Sequence, residues 1–375
     1  MQSTIMRQYM WLLLVGLVAP LVASTQAGPS GCTDPQASNF NPAAASNDGS
    51  CTYAVQSYSP PALANLPAAL HEVSGAVYYQ GQVVMLNDGG NAPHLYFTDT
   101  ANGRIKQVVV LQGVSNVDWE ELAQDSSFLY VGDIGNNASG NRQNLVIYKV
   151  PKAAIGQSDT VWVADSLIGR IRFAYEDQTD FSAQPANQTR FDAESMVYHR
   201  GQLHLFTKNW VGSHSVHYVL PTDTGFFMAQ RLDSLNTGGY RLTAAASGAH
   251  DLLAFTGYTS NGNCALFLVY GFDSSAYFFN TGCKRRINLP TVLTMGQLEA
   301  ICFFNATRGW MAGERFSQGF ITVSQRIRRF STLSFILDYY RQNAPMMPAA
   351  GSLRYNSTLD CYEVFTGDDW DCLGQ

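Results

Sequence analysis

The sequence predicts an all-β chain whose body is a β-propeller of four-stranded blades, five by count with six as the alternative, flanked by small disulfide-stapled terminal modules. Three observations carry this expectation. An internal repeat recurs five times at blade-length intervals. Hydrophobic residues make up 46% and charged residues only 14%, a composition for a well-cored β protein and not for a disordered or nucleic-acid-binding one. Helical periodicity is nowhere sustained.

The chain begins with a segment that reads as a signal peptide over residues 1–27. Arg7 supplies the positive start, and Trp11 to Val22 form an apolar stretch too short to span a bilayer comfortably. Ala23-Ser24-Thr25-Gln26-Ala27 offers small residues for cleavage. No later stretch is long and apolar enough to cross a membrane, so a secreted or cell-surface location is expected, with no transmembrane segment and a monomeric state. Net charge is −6, and the short basic runs Lys284-Arg285-Arg286 and Arg326 to Arg329 read as solvated strand ends, not as a nucleic-acid surface.

Export favours disulfides. Seven cysteines leave at least one unpaired. The expected local pairs are Cys32–Cys51, Cys264–Cys283 across a hairpin, and Cys361–Cys372. Cys302, inside the apolar run Ala300 to Phe304, reads as a free core thiol.

Residues 28–55 form a small Cys-bracketed module. Its Gly31-Cys32-Thr33-Asp34-Pro35 through Asp48-Gly49-Ser50-Cys51-Thr52-Tyr53 resembles repeats found on bacterial exported and surface proteins. Asp34, Asn39, Asn41 and Asp48 read either as Ca²⁺ ligands or as turn residues. Residues 56–70, with Pro60, Pro61 and Pro67, read as a linker. Residues 341–375 contain Gly351-Ser352-Leu353-Arg354-Tyr355-Asn356 and Tyr362-Glu363-Val364-Phe365, which resemble the β-hairpin units of bacterial surface and phage tail proteins.

The propeller is assigned to 71–340. Its repeat starts are Glu72-Val73-Ser74, Asp118-Trp119-Glu120, Asp192-Ala193-Glu194, Arg241-Leu242-Thr243 and Gln297-Leu298-Glu299. They are separated by 46, 74, 49 and 56 residues, the length of a four-stranded blade with its loops. The long second interval accommodates an insertion around 176–190 or a weak extra blade.

The first strand of each blade lines the central channel. One register on it reads Ser74, Glu120, Glu194, Thr243, Glu299, every entry an oxygen donor among apolar neighbours. Three carboxylates in a narrow channel repel one another and are poorly solvated unless protonated or bound to a cation. A hard cation suits an oxygen cage, and Ca²⁺ suits it better than Mg²⁺. Zn²⁺ is disfavoured, because no His or Cys shares the register. The alternative is that each Glu simply accepts backbone amides.

This register, with Asp118-Trp119-Glu120-Glu121-Leu122-Ala123, resembles the five-bladed calcium-activated nucleotidases (apyrases). The resemblance implies an axial Ca²⁺ on these five residues. It departs at Gly89-Gly90 and Thr256-Gly257-Tyr258, where the family carries charge around its channel mouth.

Loops that end each second strand should ring that mouth. They contribute Asp88 and Asp133 as candidate water-positioning residues. Asn136, Lys208, Asn209, Trp210, Tyr258 and Arg315 are candidate ligand-binding residues. The functional expectation is an exported calcium-binding propeller that displays a ligand-binding face. The alternative is a Ca²⁺-dependent hydrolase of phosphoanhydrides or phosphoesters, or of esters or lactones.

Overall fold

The computed structural model describes residues 28–343 together with Leu353–Asn356, Cys361–Phe365 and Trp370–Cys372. The expected signal peptide lies outside the described residues. Among those described, no helix is long and apolar enough to cross a membrane.

The body is a propeller of five blades. Blade 1 is Val73–Tyr79, Gln82–Asn87, His94–Asp99 and Ile105–Leu111. Blade 2 is Trp119–Gln124, Phe128–Asp133, Val146–Pro151 and Gly169–Tyr175. Blade 3 is Ala193–His199, Gln202–Thr207, His214–Pro221 and Gly225–Asn236. Blade 4 is Arg241–Ser247, Leu253–Tyr258, Cys264–Tyr270 and Cys283–Leu289. Blade 5 takes Gln297–Phe303, Arg308–Glu314 and Arg326–Ser331 from the end of the body and Ala62–Asn65 from its start.

The five innermost strands pack against one another in a closed ring. Five apolar clusters fill the five gaps between neighbouring blades. Between blades 1 and 2, for example, Val84, Leu86, Trp119, Leu122 and Val131 interdigitate. This is how a sheet with two apolar faces buries both: each face packs on the next blade.

The long interval between the second and third repeats holds no sixth blade. After Pro151 the chain crosses to blade 1, where Thr160–Val163 adds a parallel strand beside Ile105–Leu111. It then returns as the outer strand of blade 2 and runs through residues 176–192 into blade 3.

Residues 56–70 are not a linker. Gln56–Ser57 pairs with the outer strand of blade 4. Ala62–Asn65 supplies the outer strand of blade 5, with Asn65 opposite Arg326 and Ala64 opposite Ile327. Leu66 and Leu70 are buried beside Ile327 in the cluster between blades 5 and 1. The ring is therefore closed by the chain's own N-terminal segment. The flanking prolines are tolerated because the strand lies at an edge.

The two basic runs are only partly solvated: Arg286 and Arg329 are exposed, and the others bind the chain. Arg285 and Arg328 are both buried. Arg328 donates to the Pro60 carbonyl at 3.0 Å, and Arg326 to Asn65 Oδ1 at 3.0 Å. Arg285 donates to Gln56 Oε1 at 2.6 Å and to the Phe335 carbonyl, and Lys284 donates to the Gly49 carbonyl at 2.8 Å. These cations fasten the N-terminal segment to blades 4 and 5.

The Cys32–Cys51 disulfide is present. Asp34 is buried and spends its carboxylate on Tyr53 OH at 2.8 Å, Tyr270 OH at 2.6 Å and the Gln36 amide at 2.9 Å. Asn39, Asn41 and Asp48 each accept a nearby backbone amide. The turn reading describes all four.

Cys264 and Cys283 are free. The strand that pairs with Cys264–Tyr270 is Cys283–Leu289, so Cys264 lies opposite Leu289 and Cys283 opposite Tyr270. The two thiols occupy opposite ends of the ladder and cannot be bridged. Cys283 Sγ instead lies 3.6 Å from Cys51 Sγ. Cys302 is a free buried thiol, which burial pushes up to about 12.

A helix absent from the sequence reading, Leu333–Asn343, follows blade 5 and packs Phe335, Ile336 and Tyr340 into the cluster between blades 4 and 5. Farther on, Leu353–Asn356 and Cys361–Phe365 pair with Tyr355 opposite Tyr362, and Trp370–Cys372 adds a third strand. The side chains of Cys361 and Cys372 lie outside the described residues.

Candidate metal centre

Each innermost strand breaks register with its neighbour at the same place. The shift falls between Val73 and Ala76, Ala193 and Ser195, Leu242 and Ala244, and Leu298 and Ala300. In blade 2 it skips Glu120, since Trp119 faces Asp133 and Glu121 faces Gly132. The residues left out of the ladder include Ser74, Glu120, Glu194, Thr243 and Glu299. A bulge leaves one residue unpaired and re-aims its side chain. The oxygen register of the sequence is thus a ring of bulge residues.

The ring does not act as five equal ligands. Ser74 Oγ donates to the Glu120 carbonyl at 2.7 Å, and Thr243 Oγ1 donates to the Leu298 carbonyl. Both hydroxyls stitch one blade to the next. Glu299 accepts Tyr258 OH at 2.9 Å. Glu194 is paired with Lys208 Nζ, both buried.

Glu120 differs from the others. The residue is 4% exposed. No hydrogen bond or ion pair of its carboxylate is present among the described residues, and its near neighbours are other acids. It converges with two sets of acids. Oxygens of Asp88, Asp118 and Glu120 lie within 4.8 Å of one another, and so do oxygens of Glu120, Asp192 and Glu194. That limit is twice a Ca²⁺–oxygen distance of about 2.4 Å, so each triad can close on one ion.

The bed of the cluster is glycine. A Cβ on Gly135 would lie 2.2 Å from Glu120 Oε1 and 2.5 Å from Asp118 Oδ2, and one on Gly89 would lie 2.7 Å from Asp118 Oδ1. The carboxylates occupy the space that side chains would otherwise fill.

Other residues hold the acids in place. Asp192 is fully buried and accepts the Asn136 amide at 2.5 Å and Trp210 Nε1 at 2.6 Å. Asp133 accepts the Asp118 amide at 3.1 Å and Arg142 Nη2 at 2.6 Å. Asn136 donates to the Phe191 carbonyl at 3.0 Å and accepts the Arg142 amide at 2.9 Å. Asp133, Asn136 and Trp210 thus hold the neighbouring acids and loops in place by hydrogen bonds. Asn209 has a left-handed backbone (φ 41°) and donates to the His214 carbonyl at 2.6 Å, shaping the turn after Lys208. Arg315 is exposed; its backbone N–H reaches the His71 carbonyl, and no contact of its side chain with the cluster is present among the described residues.

Burial, reinforced by Asp88, Glu194 and Asp118, holds the Glu120 carboxyl well above its ordinary range. Burial with Asp88 and Asp192 pushes Asp118 up to about 7. Burial with Glu299 pushes Glu314 up to about 9. Asp88 is raised chiefly by burial. The cluster is short of positive charge, and either protons or a cation must supply it.

Asp88, Asp118 and Asp192 were absent from the five-residue register. The signal for Asp118 and Asp192 was the Asp-x-Glu pattern at two repeat starts, Asp118-Trp119-Glu120 and Asp192-Ala193-Glu194, and Asp88 stands among the mouth-loop candidates. Residues i and i+2 share one face of a strand.

No protein-family model matches the chain, and no curated protein does. Among solved structures, it is similar to a gluconolactonase of Xanthomonas campestris, with 12% identity over 84% of this chain and 95% of that one and a TM-score of 0.36. It is also similar to a calcium-binding protein, regucalcin, of Agrobacterium tumefaciens, with 12% identity over 74% and 97% and a TM-score of 0.34. A third is the hydrazine synthase of Kuenenia stuttgartiensis, with 9% identity over 81% and 95% and a TM-score of 0.34.

Proposed function

We propose that the chain is an exported calcium-binding propeller whose ion sits at the channel mouth and anchors a ligand there. The observation that carries this reading is Glu120: a buried acid with no hydrogen-bond or ion-pair partner among the described residues, close to four further carboxylates from blades 1 to 3. A buried charge without compensation is too costly to keep unless something binds it. The donor set is all oxygen, which favours a hard ion, and its five carboxylates favour Ca²⁺ over the more hydrated Mg²⁺. Asp88, Asp118, Glu120, Asp192 and Glu194 are the proposed ligands. Ser74 and Thr243 act as stitches between blades, and Glu299 belongs to the Lys208 side of the mouth. The apolar start of the chain and the Cys32–Cys51 disulfide support export.

A Ca²⁺ held there would polarise an oxygen of a bound carboxylate, phosphate or carbonyl group. Tyr258 and Trp210 border the same mouth. A second reading, a Ca²⁺-dependent hydrolase, is favoured by Asp88 alone. It lies on the loop ending a second strand, and burial raises its carboxyl above the ordinary aspartate value. The cations argue against phosphoanhydrides as substrates. Lys208 is committed to Glu194, Arg142 to Asp133, and Arg315 stands outside the cluster. Esters or lactones ask less of such cations.

The test is thermal melting of the full chain with Ca²⁺ and with chelator, beside assays for phosphate release from nucleoside di- and triphosphates and for lactone opening. Calcium-dependent melting without turnover supports the binding protein. Calcium-dependent turnover supports the hydrolase. Melting indifferent to both Ca²⁺ and chelator contradicts both.

A further inference from the structure

We propose that the Cys32–Cys51 disulfide passes to Cys51–Cys283 by internal exchange, and that the transferred bond clasps the N-terminal segment to blade 4, where the ring is closed. The proposal is independent of the calcium reading above.

Three sulfurs meet in one apolar cluster. Cys32, Cys51 and Cys283 are all buried there, beside Tyr270 and Phe335. Cys32 and Cys51 are bonded, and the Cys283 thiol lies 3.6 Å from Cys51 Sγ. Asn47, inside the Cys-bracketed module, donates its Nδ2 to Cys283 Sγ at 3.2 Å and ties the thiol to that module. Burial keeps an outside thiol away from the disulfide. An internal thiol in contact with it has a high effective concentration instead.

The step is thiol–disulfide exchange. The Cys283 thiolate attacks Cys51 Sγ. The Cys51–Cys283 bond forms as the Cys32–Cys51 bond breaks, and Cys32 leaves as a thiolate that takes up the proton Cys283 released. One disulfide and one thiol stand on each side of the step, so it needs no oxidant or reductant. What changes is what the bond joins. Before transfer it links positions 19 apart within the module; afterwards it links positions 232 apart. Cys283 opens the outer strand of blade 4, the strand on which Gln56–Ser57 pairs. Ala62–Asn65 then completes blade 5. The transferred bond therefore pins the segment that closes the ring, and its longer loop restricts the unfolded chain more. Burial, with Asp34 acting in the same direction, pushes the Cys283 thiol up to about 11 against the opposing pull of Tyr53, Asn47 and Lys284. Tyr270 and Tyr339 are the other titratable groups that feel it. Exchange is accordingly slow at neutral pH and quickens as pH rises.

The experiment incubates the full wild-type chain between about pH 7 and about pH 9.5 without added thiol or oxidant, then quenches with acid, alkylates and maps the disulfide peptides. A Cys51–Cys283 peptide should appear together with alkylated Cys32, at a rate rising about tenfold per pH unit. The transferred isomer should melt at a higher temperature than the starting one. Cys283→Ser should keep Cys32–Cys51 at every pH; the decision rests on the wild-type chain and not on the folding of this variant. Cys32–Cys51 as the sole partner of Cys51 after incubation to constant composition at the highest pH overturns the exchange. Links from Cys51 to any cysteine other than Cys32 and Cys283 mean scrambling through unfolding and overturn it as well. A transferred isomer that melts no higher than the starting one overturns the clasp.

Discussion

The carboxylate of Glu121, on the innermost strand of blade 2, accepts the backbone N–H of Ala245, on the innermost strand of blade 4, at 2.7 Å. Its other oxygen takes the Leu122 amide at 2.9 Å. The side chain crosses the channel and satisfies amides that the inner strand edges would leave bare. It stands directly after Glu120 in sequence yet does the opposite work: Glu121 is spent on backbone, and Glu120 has no partner among the described residues. Glu121→Ala should cost about 2–4 kcal/mol in denaturant unfolding, by stranding buried amides and opening a cavity. Calcium affinity should not change. An equal loss of ion binding would show that Glu121 belongs to the metal site.

Gly135 gives the converse case. A methyl group there would meet Glu120 Oε1 and Asp118 Oδ2, the mobile ends of two side chains and not backbone. Gly135→Ala should therefore fold while forcing both carboxylates aside. The expected result is a loss of at least about tenfold in calcium affinity, with the melting temperature in chelator nearly unchanged. Unaltered affinity would place the ion elsewhere.

The raised carboxyls fix the direction of a pH effect. Asp118 at about 7 and Glu314 at about 9 lie above their ordinary values of 3.8 and 4.5. Between those values the folded, ion-free protein holds more protons than the unfolded chain. The stability these two groups contribute is therefore complete below about pH 4 and is lost as pH rises towards about 9. Melting in chelator should fall across that window, and saturating Ca²⁺ should remove most of the fall. Asp118→Asn should flatten its lower part, up to about pH 7. A chelator profile that is no flatter in Asp118→Asn than in wild type would contradict the assignment.

The sulfur cluster makes a covalent prediction. With Cys51 Sγ 3.6 Å from Cys283 Sγ, Cys32→Ser removes one partner and leaves another within reach. Peptide mapping of that variant after oxidative refolding should find Cys51 linked to Cys283. Recovery of Cys264 linked to Cys283 would mean that the register of blade 4 is wrong.

Much of this architecture was legible in the sequence, because a propeller repeats its chemistry. The five repeat starts are the five innermost strands, and the oxygen register is the ring of bulges. Less legible was anything set by partners distant in sequence. Ala62-Leu63-Ala64-Asn65 is short, lies between prolines and shows no alternation, yet it closes blade 5. The basic runs read as solvated because partners such as Gly49, Gln56 and Pro60 lie more than 200 positions away. Cys264 and Cys283 read as a hairpin pair, but the chain between them makes the helical turn Phe278–Thr281 and the returning strand begins only at Cys283. The oxygen register contains Glu120 and Glu194 but not the aspartates two residues before each, which stand in the same acidic groups. It also gave Lys208 to a ligand, when its partner is Glu194.

The most direct test of the central claim is calorimetric titration of Ca²⁺ into the full chain and into its Glu120→Gln variant at one pH. The account predicts one ion for the wild type and a loss of about a hundredfold or more in affinity for Glu120→Gln, with the variant at least as stable in chelator because a buried uncompensated carboxylate is gone. Equal calcium affinity in the two proteins, or no binding by the wild type, would contradict it.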